Sequence, residues 1–170
     1  MKIGSFKYYA KQQSGVNLVG NPGFEFSNSN DASGNYPIGW IETRNFGFDP
    51  DRGAVTTNAA NAYYGSRYLV HESDSAPCKC TIKQILEYIL FGTYTLTAHV
   101  RSSGGQKSAL MRVIQGGVER SIVIPASSTW TTITLDNIAL NSDELTIAFT
   151  SDTDGPNQWV AVDSVSLVVK

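Results

Sequence analysis

Apolar and polar side chains alternate with a period of two through most of this chain, and that alternation restricts it to β structure. The clearest run is 93–101, where Tyr94, Leu96, Ala98 and Val100 face one way and Thr95, Thr97, His99 and Arg101 the other. Leu145, Ile147 and Phe149 repeat the scheme against Thr146, Ala148 and Thr150, and Met111 and Val113 repeat it beside Leu110 and Arg112. Each run has one face for a core and one for water. Further strands are expected at 17–20, 40–44, 68–72, 80–86, 118–124, 129–135 and 159–169, separated by Gly, Pro, Asn, Asp and Ser. About ten short strands with no helical crossover predict an all-β fold, two packed antiparallel sheets close to the jelly roll. Its core should hold Tyr94, Leu96, Val100, Ile147, Phe149 and Leu167. The polar stretches 27–39 and 45–65 read as surface loops at one rim.

Two irregularities matter. In the last strand Val160 and Val162 share one parity while Val165, Leu167 and Val169 share the other, so the register must slip at Asp163 and Ser164. A bulge there keeps both halves on the core and leaves a carboxylate beside it, where an unpaired charge is costly. Residues 1–15 show no apolar periodicity and are expected to form an arm or linker outside a single domain spanning 16–170, because 170 residues suit one domain.

Composition narrows the partners. Thirteen basic and 15 acidic side chains offer no positive excess for a phosphate backbone, so no nucleic acid is expected. The longest apolar stretch, 85–91, is interrupted by Glu87 and too short for a bilayer, so no membrane partner is expected either. The N-terminus lacks the apolar core of a signal peptide. Cys78 and Cys80 lie two apart, awkward for a disulfide, and read as free thiols. Histidines number two, His71 reading as a satisfied core residue, and no nucleophile, zinc or phosphate-loop motif occurs, so no enzyme is expected. Glu72 has no acidic partner on its face, as a glycosidase would need.

Three stretches, 17–25 (Asn-Leu-Val-Gly-Asn-Pro-Gly-Phe-Glu) with Trp40, 92–105, and 159–167 (Trp-Val-Ala-Val-Asp-Ser-Val-Ser-Leu), together resemble non-catalytic carbohydrate-binding modules of the galactose-binding-like β-sandwich. Within that framework, 100–106, 124–130 and 149–152 are most similar to the family 61 modules, associated with β-1,4-galactan. The resemblance implies a polysaccharide or cell-surface glycan as partner, galactan or an acidic glycan. It also implies a structural calcium joining the opening and closing segments, which maps onto Glu25 and Asp163, with carbonyls around Ser66 completing the oxygen set. The alternative is that Glu25 and Asp163 hydrogen-bond backbone amides.

For the sugar itself, the wet positions Glu72, Lys83, His99, Arg112 and Thr150 are polar or cationic where relatives would offer aromatic rings; Arg101 joins their cationic cluster, with Asn157 and Trp159 at the margin. Those eight residues form the expected ligand site, on a face from which the stacking platform has gone, unless that face is merely solvated. Tyr36, Phe46, Phe48, Tyr63 and Tyr64 are loop aromatics that can form a rim site or, as expected for Phe46 and Phe48, cover the core ends. Trp40, Trp130 and Trp159 are expected within or beside strands as core anchors, although Trp159 can flank the wet face next to Asn157. The rival class is a phage or surface structural protein, a fibre, decoration or adhesion subunit built on the same sandwich. A module would be monomeric and extracellular in a secreted enzyme; a virion component would be oligomeric.

Overall fold

The computed structural model describes residues 14–28, 36–45, 55–73, 77 and 79–170. Twelve strands occur among them: β1 Ser27–Asn28, β2 Tyr36–Pro37, β3 Ile41–Asn45, β4 Val55–Thr57, β5 Arg67–Ser73, β6 Lys79–Glu87, β7 Gly92–Ser102, β8 Ser108–Gln115, β9 Val118–Val123, β10 Ser127–Leu140, β11 Glu144–Asp152 and β12 Gln158–Val169. No helix occurs among the described residues, and none is long and apolar enough to cross a membrane. Ten strands form two five-stranded sheets, ordered β10-β7-β12-β5-β4 (the front sheet) and β3-β6-β11-β8-β9 (the back sheet); β1 and β2 pair separately. Every pairing is antiparallel.

The alternation read from the sequence becomes the core between these sheets. All six expected core residues are at most 1% exposed. Burying a side chain of that size is worth roughly 1.5–3 kcal/mol, and the even positions of β7 meet the odd positions of β11 across the interface. Phe24 packs on Trp40 at 5.1 Å between ring centroids, and Trp40 lies 6.2 Å from Phe149, closing one end of the core. Asn21 fixes that end: its side-chain amide donates to the carbonyls of Phe26 and Ile38, and its own carbonyl accepts the Trp40 indole N–H. The β8–β9 hairpin turns on Gly116 and Gly117, both at positive φ, as a two-residue turn between paired Gln115 and Val118 demands.

The bulge lies where the parity change put it: the β12–β7 register shifts between Asp163 and Ser166, and Ser164 takes a φ of 49°. Val160 and Val162 before it and Val165 and Leu167 after it all stay buried. Four expectations need correction. Residues 17–20 form no strand, although Leu18 N–H bonds the Leu167 carbonyl, because Asn17 spends its side chain on Val19, Val165 and Leu167. The stretch 45–65 includes an edge strand, β4, paired to β5, and 27–39 contributes the short β1–β2 ribbon. Cys80 is disulfide-bonded rather than free. The expectations for residues 1–13, Phe46, Phe48 and Cys78 lie outside the described residues.

Candidate functional site

The eight expected ligand residues do not share a face. A sandwich has two outer faces, and β7, β5 and β12 belong to the front sheet whereas β6, β8 and β11 belong to the back. His99, Arg101, Glu72 and Trp159 therefore lie on the front face, with Asn157 exposed in the turn before β12 at a φ of 63°. Lys83, Arg112 and Thr150 lie on the back face, Lys83 and Arg112 flanking Ala148 in register. There Arg112 is already engaged. Its Nε donates to Glu119 at 2.8 Å, its Nη2 also pairs with Glu119, and its Nη1 reaches Thr150 Oγ1 at 3.3 Å. The Glu119 side chain holds the guanidinium pKa above its ordinary value.

The front face carries an aromatic cluster, contrary to the expectation that the stacking platform has gone. Tyr68, Val70 and Glu72 alternate along β5 with core Leu69 and His71; Tyr68 is itself covered, at 6% exposure, while Glu72 is exposed, and His71 bonds Ser151 inside the core at 3.1 Å. Trp130 belongs to this face and is not a core anchor, and Trp159 lies on the same face, as expected of a ligand residue; both are half-buried. Between these rings runs Arg101. Its Cζ lies 5.2 Å from the Tyr68 ring centroid, 4.8 Å from Trp130 and 5.6 Å from Trp159. Each cation–π contact contributes about 0.5–2 kcal/mol depending on how dry it is. The guanidinium can lie across the sheet because its register partner on β12 is only Ala161.

Two loops hold the rings. The 103–106 loop grips the Trp159 backbone: Ser103 N–H and Gln106 Nε2 both donate to its carbonyl, and its N–H donates to Ser103 Oγ. The 58–66 loop covers the other end, where the Trp130 indole N–H donates to the Asn61 carbonyl at 3.0 Å and the Tyr63 ring stacks on His99 at 3.5 Å. Trp130 meets Tyr68 edge-on at 5.7 Å, so the cluster is continuous. Burial lowers the His99 pKa against the pull of the Ser164 backbone and the Asp163 carboxylate, which favours the neutral ring.

Glu25 and Asp163 anchor that covering loop. Asp163, fully buried, accepts the Tyr63 and Tyr64 amides at 2.9 and 3.1 Å on one oxygen and the Ser164 amide at 2.6 Å on the other. Glu25 accepts the Ser66 and Arg67 amides and the Ser66 hydroxyl. Burial alone would raise the Glu25 pKa, but those donors outweigh it and the group is lowered; at Asp163 burial prevails over the amides and the pKa is raised. Calcium takes six to eight oxygens. Here the carboxylates face N–H donors, the Ser66 carbonyl accepts the Asn58 amide, and no group of three or more His, Cys, Asp or Glu residues that could hold a metal occurs among the described residues. Backbone amides thus satisfy both carboxylates in this structure, as the alternative reading of Glu25 and Asp163 expected.

Tyr68, Trp130 and Tyr63 were not among the expected site residues. Parity could have found the first two, since Trp130 alternates with the buried Ile133 and Leu135 and Tyr68 with the buried Leu69. Nothing in the sequence announced that a distant loop would lay Tyr63 on His99.

No family model and no curated protein matches this chain. Solved structures do. TmCBM61 in complex with β-1,4-galactotriose superposes with a TM-score of 0.72 over 91% of this chain and 99% of that one, at 20% identity. The enzymatically active domain of bacteriophage CBA120 tailspike protein 4 gives 0.66 at 12% identity over 91% of this chain but 22% of its own. The Stig cyclase Fisc from Fischerella sp. TAU gives 0.65 at 18% identity over 93% and 98%. The chain thus has the β-sandwich fold found in carbohydrate-binding modules, and that fold extends to proteins of other activities.

Proposed function

We propose that this protein is a non-catalytic carbohydrate-binding domain whose site is the front-sheet face formed by Tyr68, Trp130 and Trp159 around Arg101. The observation that carries this reading is the aromatic cluster itself. A sugar ring presents an apolar C–H face and a hydroxylated rim, and it needs flat aromatic surface beside planar polar groups. Three rings surround one guanidinium here, and Glu72, Asn157 and Ser103 are exposed nearby. Supporting it is the likeness to a module solved with a bound galactotriose. Glycan binding of this kind suits an extracellular setting.

The tailspike likeness favours one second reading, a virion or surface protein that displays the same sandwich. Size-exclusion chromatography with light scattering separates the two: a module runs as a monomer, a display subunit as an oligomer. The binding reading is tested on a glycan array carrying galactans, pectins and cell-wall polysaccharides, with the full chain and its Trp130→Ala variant. A hit lost in Trp130→Ala at unchanged fold supports the site; a hit retained moves it elsewhere, and no hit removes the reading.

A further inference from the structure

Arg101 differs from the other cations whose contacts are described. Arg112 pairs with Glu119, Lys107 with Asp154 and Lys170 with Asp136. Arg101 forms no ion pair and no hydrogen bond among the described residues, and its Nε is buried without a hydrogen-bond partner. A guanidinium carries five N–H donors in a planar fork, and leaving them unmatched while half-buried is costly. The three rings offset part of that cost through its faces, but cation–π contacts leave the donors at its edge unused. Aromatic walls also hold the fork in one plane and keep it dry, the conditions in which bidentate pairing with an oxyanion is strongest.

We infer that the front-face site recognises an anionic saccharide, whose carboxylate or sulfate group pairs with the Arg101 fork while its ring stacks on Trp130 or Trp159. This inference rests on the carbohydrate-binding reading above and narrows its ligand class. It assigns the charge recognition to one residue. Lys83 and Arg112 lie on the opposite sheet and take no part. His99, two residues along β7, is covered by Tyr63.

The test is affinity electrophoresis of the full chain through gels containing polygalacturonate, fully methyl-esterified polygalacturonate, carrageenan or neutral β-1,4-galactan. Polygalacturonate and its ester share a backbone and differ in the free carboxylate. Retardation by polygalacturonate or carrageenan that weakens about tenfold on esterification or in the neutral polymer, and about tenfold again in Arg101→Lys, is the expected result. Arg101→Lys keeps the charge and the aliphatic stem, so an unchanged melting temperature shows that the loss belongs to the fork. Retardation by polygalacturonate identifies a carboxylate, by carrageenan alone a sulfate. Equal binding of the ester or of galactan, with Arg101→Lys without effect, overturns the inference and leaves carbohydrate binding intact. Failure of every polymer to retard the chain overturns both.

Discussion

Asp163 and His99 sit directly across from one another on β12 and β7, and the covering loop depends on both. His99 has a pKa below the ordinary 6.5 because burial disfavours its charged form. The unfolded chain therefore takes up a proton before the folded chain does, so the His99 contribution to stability is intact above about pH 6.5 and declines as pH falls through that value toward the lowered folded pKa. Urea denaturation between pH 7 and 5 should show the midpoint of the native protein falling more than that of His99→Gln; parallel curves would contradict the assignment. Gly65 makes a second residue-scale case. It has a φ of +74°, and a Cβ there would collide with Glu25 Oε1, displacing the carboxylate that holds Ser66 and Arg67. Gly65→Ala should lose about 2–4 kcal/mol, combining left-handed strain with broken charge-assisted hydrogen bonds. Chemical denaturation measures it, and a loss under 1 kcal/mol would mean that the clamp adapts.

At the scale of strands, the sequence discloses which side chains point inward but not which sheet they leave from. Parity placed Lys83, His99, Arg101 and Arg112 outward, correctly, and the bulge at Asp163–Ser164 was legible because the parity of the valines changes there. Grouping those four cations required strand order, and strand order is set by long-range pairing that no local pattern encodes. Trp130 was misread for a related reason: a tryptophan in a strand is commonly core, and although its parity opposes that of the buried Ile133 and Leu135, only its packing beside Arg101 and edge-on against Tyr68 reveals a front-face cluster. The opposite-face placement has a direct consequence. Arg112→Ala removes a partly exposed ion pair with Glu119, worth about 0–1 kcal/mol, and should leave glycan affinity unchanged in isothermal titration. A substantial loss of affinity would relocate the site to the back sheet.

For the molecule as a whole, the clamp made by Glu25 and Asp163 ties the start of the domain, the 58–66 loop and the last strand together through backbone amides. A ligand that binds only the folded state raises its melting temperature with concentration. Because amides occupy the carboxylates, calcium and chelator should give the same melting temperature by scanning calorimetry; a rise with millimolar calcium would show that the loop exchanges its N–H donors for an ion. The resemblance in the opening and closing segments made the sandwich legible and implied a metal, whereas the Ser66 and Tyr63 amides that satisfy those carboxylates lie 41 residues from Glu25 and 100 from Asp163 and could be placed only in three dimensions.

The three indoles divide cleanly between the two environments, which permits a direct test of the front-face site. Trp40 is buried against Phe24 and Phe149, while Trp130 and Trp159 flank Arg101 on the outer face. In a ¹⁵N-correlated spectrum each contributes one indole N–H resonance. Titration with trigalacturonate, and in parallel with β-1,4-galactotriose, should shift the Trp130 and Trp159 indole resonances in a saturable manner and leave that of Trp40 in place. Shifts confined to the backbone amides of Lys83, Arg112 and Thr150, or no shift with either saccharide, would contradict the front face as the binding site.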